Sequence, residues 1–267
     1  MHPVIRTMAE RLSTVAGVRA VVLGGSRARG THRPDSDWDL GLYYRDADAL
    51  DVHALASLAA EFTGRAVDIA APGGWGPWVN GGAWLSVDGT AVDWILRDLD
   101  RVERVWADCR AGRFEVGTQA GHPLGFWSPA YAGEVAHCRV LADPAGELTA
   151  LRARTRHYPD ALREALAEAA WEAEFSVAAA RKSVGAGDAL HVSLCLSKAF
   201  GVLAQAMLAH ERTWCLNEKG ALAAAARLAC APPDFAQRVA RALHGLDEEA
   251  VRAAESLVRE VRGSLTR

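Results

Sequence analysis

Residues 21–44 read VVLGGSRARGTHRPDSDWDLGLYY, and the fold turns on them. Ala20 to Leu23 is a short apolar run of the kind that forms a buried strand, and it ends in Gly24-Gly25-Ser26. A Pro34-Asp35-Ser36 turn then leads into a second strand, Trp38 to Tyr44. Side chains alternate along a strand, so Asp37 and Asp39 project from one face while Trp38, Leu40 and Leu42 point into the core. A strand that ends in Gly-Gly-Ser and opens a short helix offers backbone N–H groups and a hydroxyl to an anion. Glycine is needed there because a side chain would hold a phosphate away from the backbone. Two neighbouring carboxylates repel each other unless a cation neutralises them. Oxygen-only donors favour a hard ion such as Mg²⁺, which also binds phosphates. The stretch therefore predicts a metal–triphosphate site, with Gly25, Ser26 and the neighbouring Arg27 toward the phosphates and Asp37 and Asp39 toward the metal.

Working outward, Val4, Ile5, Met8, Leu12 and Val15 recur at helical spacing between Pro3 and Gly17. A helix is expected from about Ala47 to Phe62, and a third strand over Ala66 to Ala71. The loop PGGWGPWVNGG, residues 72–82, has no usable periodicity, although its Trp75 and Trp78 could build an aromatic wall. AWLSV and TAVDWIL flank Asp88-Gly89, a strong hairpin signal. That turn sets Trp84 opposite Asp93, on the same face. Asp93 is a charge inside an apolar strand and is the best candidate for the third carboxylate that a two-metal site calls for. Asp98 can cap the next helix, whose Val102, Val105 and Cys109 share one side. The consistent fold class is α/β (α+β), a mixed sheet with covering helices, followed by an all-α helical bundle.

The bundle begins where the chain turns rich in Ala, Leu, Glu and Arg. The segment LADPAGELTA, residues 141–150, is the natural junction, giving a catalytic domain over 1–147 and a helical domain over 148–267. Helices are expected near 160–183, 188–210, 218–230, 234–245 and 247–264. In the second of these, Leu196, Phe200, Leu203 and Met207 form a core face, while His191, Lys198 and Gln205 recur every seven residues as a polar stripe. Glu164, Glu168 and Glu172 fall on one face of the first; they suit a solvated surface, or a polycationic ligand.

Composition narrows the function classes. The chain has 267 residues, half of them hydrophobic, with a net charge of −3, which excludes a disordered chain and argues against a dedicated nucleic-acid binder. The N-terminus lacks an unbroken apolar core of signal-peptide type. The long apolar stretch 189–210 is interrupted by His191, Lys198 and Gln205, so no membrane span is expected. Five cysteines without a CxxC pair read as reduced thiols of a cytoplasmic protein.

Gly25-Ser26, the ten-residue spacer and Asp37-x-Asp39, with Asp93 further on, resemble the DNA polymerase beta-type nucleotidyltransferase superfamily. The two-part layout resembles the aminoglycoside and lincosamide nucleotidyltransferases within it. The resemblance implies two Mg²⁺ ions held by Asp37, Asp39 and Asp93, and a triphosphate contacted by Ser26 and Ser36. It also implies basic residues at the bundle's central helix and at the next helix start, positions matched by Lys198 and Lys219. The implied reaction moves a nucleoside monophosphate from an NTP, with ATP the expected donor, to a hydroxyl of a small acceptor such as an antibiotic. The proton acceptor is Asp93 or one of Glu103, Glu115 and Glu134. A protein or RNA nucleotidylyltransferase is the alternative enzyme, and a non-catalytic NTP-binding or toxin–antitoxin component is the alternative outside catalysis. Oligomeric state is not encoded in any of these patterns.

Overall fold

A computed structural model describes residues 2–266. The chain separates into two units: one runs to residue 107 and resumes over 116–157, and the other comprises 108–115 and the chain from 158 onward.

The first unit opens with α1 (Pro3–Leu12), where proline at the first helical position needs no N–H partner. It continues through β1 (Val18–Leu23), the five-residue α2 (Gly25–Arg29), β2 (Trp38–Tyr44) and α3 (Val52–Thr63). The hairpin β3 (Gly82–Val87) and β4 (Thr90–Asp98) follows, then α4 (Leu99–Arg110), whose last residues pass into the other unit. Completing the first unit are a separate small hairpin, β5 (Val116–Gln119) and β6 (His122–Trp127), then α5 (Ala130–His137), β7 (Arg139–Ala142) and α6 (Glu147–Thr155). The main sheet has the order β3-β4-β2-β1-β7, and within it only β2 and β4 run parallel.

One sheet face is the core. Leu40, Leu42, Val92, Trp94 and Leu96 are buried there against Ile5, Met8 and Leu12 of α1 and Leu55 and Leu58 of α3. The Trp94 indole N–H donates to Met8 Sδ at 3.2 Å, so even the one polar atom of this large ring has a partner. The β3–β4 turn is the one the sequence specifies. Asp88 and Gly89 both have positive φ, 49° and 76°, as a type I′ turn demands. Asp98 Oδ1 accepts from the Arg101 N–H at 3.1 Å, capping α4, and Val102, Val105 and Cys109 are each buried.

Three expectations are corrected. Residues 66–71 form no strand. Only Ala70 pairs, in a single bridge to Gly82, before the chain turns at Pro72-Gly73-Gly74. The fifth strand of the sheet is instead β7, which pairs with β1 across more than a hundred residues of chain. The long first helix of the bundle is two, α7 (Asp160–Glu168) and α8 (Trp171–Val184), separated by Ala169-Ala170. The Ala170 and Glu172 N–H groups bond to residues three back, Ala167 and Ala169, tightening the chain into a turn around a fully buried Ala170. Glu172 therefore does not share a helix with Glu164 and Glu168.

The second unit also contains α9 (Ala189–His210), the short α10 (Ala221–Ala225), α11 (Phe235–Gly245) and α12 (Glu248–Leu265). Asp188 caps α9 by accepting from the His191 N–H. Leu196, Phe200, Leu203 and Met207 are all buried, and α9 packs on α7, α8, α10, α11 and α12. By length and composition α9 is apolar enough to cross a membrane, so its polar interruptions do not disqualify it as expected. Its position as the buried central helix of the bundle accounts for that apolarity. The five cysteines are free thiols, with Cys109 and Cys138 buried.

Candidate active site

The candidate site residues lie on the second face of the sheet. In the parallel β2/β4 pairing Asp39 stands opposite Asp93, Gly41 opposite Ile95, and Tyr43 opposite Arg97. In the antiparallel β3/β4 pairing Trp84 stands opposite Asp93. Alternation turns all of these away from the Leu40–Trp94 core face. Asp37 is exposed, immediately before β2.

The turn after β1 is pressed against Asp39. The Gly24 N–H donates to the Asp39 backbone oxygen at 2.8 Å. Gly25 has φ +59°, and a Cβ there would lie 1.8 Å from Asp39 Oδ2. Any side chain at position 25 would displace that carboxylate, so glycine is required by both conformation and space. Ser26 is the second residue of α2, beside this contact.

Arg27 holds the loop that delivers Asp37. Its guanidinium donates to the carbonyls of Ser36 and Asp37, each at 3.0 Å, and of Pro34 at 3.3 Å. It also lies over the Trp38 ring, 4.2 Å from the centroid. Ser36 Oγ accepts from the Arg33 N–H at 2.9 Å and closes the turn. Arg27 is thus a positioning residue for the 34–37 loop, a role that composition and spacing did not disclose.

Electrostatics mark the same spot. Burial, then the charges of Asp39 and Asp37, push the Asp93 carboxyl up to about 6. Among the described residues no three His, Cys, Asp or Glu side chains stand close enough together to hold a metal as they are. The donor set nonetheless suits a hard divalent cation. It consists of carboxylate oxygens on one sheet face, and Asp93 is destabilised by the like charges that a cation would neutralise.

The three glutamates that compete as proton acceptor have other places. Glu134 makes a bidentate pair with Arg97 at 2.7 and 2.8 Å. Glu103 accepts from Arg45 at 3.0 Å, in a network with Asp100 and Glu147. Glu115 is exposed and belongs to the second unit. Lys198 and Lys219 also belong to the second unit. The Lys198 ammonium lies 3.3 Å from Glu172, and Lys219 is exposed in the turn before α10.

Two features beside Asp93 lay beyond the sequence patterns. Arg97, only 5% exposed, is neutralised by Glu134 and lies over the Tyr131 ring. Its odd-numbered place on β4, with Asp93, was the available signal. The other feature is that Trp75 stacks on Trp84, with centroids 4.2 Å apart and planes 15° from parallel. Trp78, by contrast, is buried against Phe126 under Arg101, so the 72–82 loop gives one indole to the core and one to the surface.

Residues 5–75 match the family model described as a nucleotidyltransferase domain. Residues 132–219 match a second model, a domain of unknown function, DUF4037. Among solved structures the chain is similar to a nucleotidyltransferase-like protein from Exiguobacterium sibiricum 255-15. The identity is 11% and the TM-score 0.48, with 98% of this chain and 74% of that one covered. No curated protein matches the chain.

Proposed function

We infer from the match over residues 5–75 that this part of the chain is a nucleotidyltransferase domain of the DNA polymerase beta-type superfamily. From that premise we propose that the chain transfers a nucleoside monophosphate from an NTP, ATP first among them, to a hydroxyl of a small acceptor, releasing pyrophosphate. The observation that carries this reading is the row formed by Gly25, Asp39 and Asp93. A glycine turn touches one carboxylate, which stands in register with another on the neighbouring parallel strand.

Asp37, Asp39 and Asp93 are the residues that would hold Mg²⁺. Bound there, the metal would supply charge neutralisation for the triphosphate and the leaving pyrophosphate. Gly25 keeps the backbone open to phosphate oxygens, Ser26 and Ser36 offer hydroxyls, and Arg27 fixes the loop on which Ser36 and Asp37 ride. Asp93 is assigned to receive the proton of the acceptor hydroxyl, because Glu134 and Glu103 are committed to arginines. Most of the rate would come from positioning and fixed charge rather than from covalent chemistry by the protein. Lys198 and Lys219 are the cations assigned to the triphosphate by the resemblance to the antibiotic-modifying enzymes. Lys198→Ala and Lys219→Ala should each raise KM for NTP more than they lower kcat.

A pyrophosphate-release screen with each NTP over aminoglycosides and lincosamides tests the reading. Mg²⁺-dependent release that needs an acceptor supports it. Release without regard to Asp37→Asn and Asp39→Asn in folded protein removes the site assignment.

A further inference from the structure

We propose that the stacked indoles of Trp84 and Trp75 are the acceptor platform of this centre, receiving a hydroxylated ring rather than the nucleobase. The inference rests on the nucleotidyl-transfer reading above and adds the class of acceptor to it.

The argument begins with the order of groups across the sheet. Gly25 touches Asp39, Asp39 is in register with Asp93, and Asp93 is in register with Trp84. The four lie in one row, with Trp84 two strand spacings, about 10 Å, beyond Asp39 on the side away from Gly25. In nucleotidyl transfer the acceptor oxygen forms its bond to the α-phosphorus as the bond to the α,β-bridging oxygen breaks. The electron pair of that bond leaves with pyrophosphate, and the hydroxyl proton passes to Asp93. Entering and leaving oxygens are in line, so with the phosphate cradle at one end of the row the acceptor enters from the other. The nucleoside hangs from an equatorial oxygen, off that line. Trp84 stands at the acceptor's end.

The indoles are suited to that place. Trp84 is 67% exposed although it lies on a strand, which leaves much of a large ring open to a ligand. Trp75 backs it in a parallel stack, so its plane is fixed before anything binds. Gly82 makes room for that backing. A Cβ at position 82 would fall 3.1 Å from Trp75 Cη2 and 1.9 Å from the Trp94 backbone oxygen. A fixed indole face takes the C–H face of a saturated ring, or a cationic group, better than it takes a flexible chain. The adjoining carboxylates accept hydrogen bonds from hydroxyl or ammonium groups on that ring. An acyclic alcohol would leave the platform empty.

The test compares wild type, Trp84→Ala and Trp84→Phe, using α-labelled NTP with three ring acceptors (myo-inositol, kanamycin and lincomycin) and one acyclic acceptor (glycerol). Calorimetry of NTP binding and circular dichroism accompany it. Wild type should label at least one ring acceptor in preference to glycerol. Trp84→Ala should lower kcat/KM for that ring roughly tenfold or more, with NTP affinity within twofold and melting temperature unchanged. Trp84→Phe should restore most of the transfer. The exciton couplet of the indole pair should vanish in both variants, showing that recovery follows the aromatic face and not the pair itself. The platform is overturned if Trp84→Ala keeps full transfer to the ring, if it loses NTP affinity tenfold, or if wild type labels glycerol alone or no ring at all. Failure of wild type to bind NTP would instead overturn the underlying nucleotidyl-transfer reading.

Discussion

The two ends of one sheet face handle charge in opposite ways. At the Tyr43/Arg97 end a buried arginine meets Glu134 in a two-point ion pair beside two tyrosine rings, and opposite charges cancel. At the Asp39/Asp93 end, two rows up the same strands, burial and then the like charges of Asp39 and Asp37 push the Asp93 carboxyl up to about 6. Burial acts at both ends. At the first it is offset by pairing, as structural charges require. At the second the like charges persist, and only a ligand or cation that neutralises them gives that cost a purpose. On the proposed reading, the contrast separates a charge pair that holds the fold from charges assigned to chemistry.

Substitutions should break this contrast unequally. Arg97→Met leaves Glu134 beside an apolar surface, and Glu134→Gln leaves Arg97 buried without its counter-charge. Chemical denaturation should show losses of about 3–5 kcal/mol for the second and less for the first, since Glu134 is more exposed. Asp93→Asn should do the reverse, holding or raising the melting temperature because a repelled charge is removed, while transfer collapses.

Arg27→Ala should fall between. Releasing the 34–37 loop should lower kcat by roughly tenfold to a hundredfold with a small change in melting temperature, since the loop is largely exposed. Arg27→Lys should rescue little, because one ammonium cannot reach three carbonyls and cover Trp38.

The smallest effect is expected in the second unit, where Arg238 and Ser256 hold the partly exposed Glu260 carboxyl down to about 2. A carboxylate with a depressed folded value adds stability above its unfolded value, near 4.3, that is lost as pH falls toward 2. Melting curves of wild type and Glu260→Gln should therefore differ slightly at pH 7 and converge as pH approaches 2.

Local chemistry made much of the first unit legible. β2 follows from alternation alone. The Asp88-Gly89 turn fixes the β3–β4 register and with it the Trp84–Asp93 pair. What stayed hidden depends on distant partners. The short β7, Arg139–Ala142, becomes a strand only because β1 offers an edge. Residues 66–71 alternate like a strand but find only Gly82 to pair with. Alanine gives no local sign of a break at 169–170, which follows from the burial of Ala170. In the site, residue types exposed the carboxylate row. The part played by Arg27 depends on carbonyls seven to ten residues away, which spacing cannot reveal.

The most direct measurement is Mg²⁺-dependent pyrophosphate release by wild type and Asp39→Asn at equal concentration and verified fold. The carboxylate row as the transfer centre predicts a rate at least ~10²-fold lower in Asp39→Asn with an undiminished melting temperature. Release at the wild-type rate would contradict it.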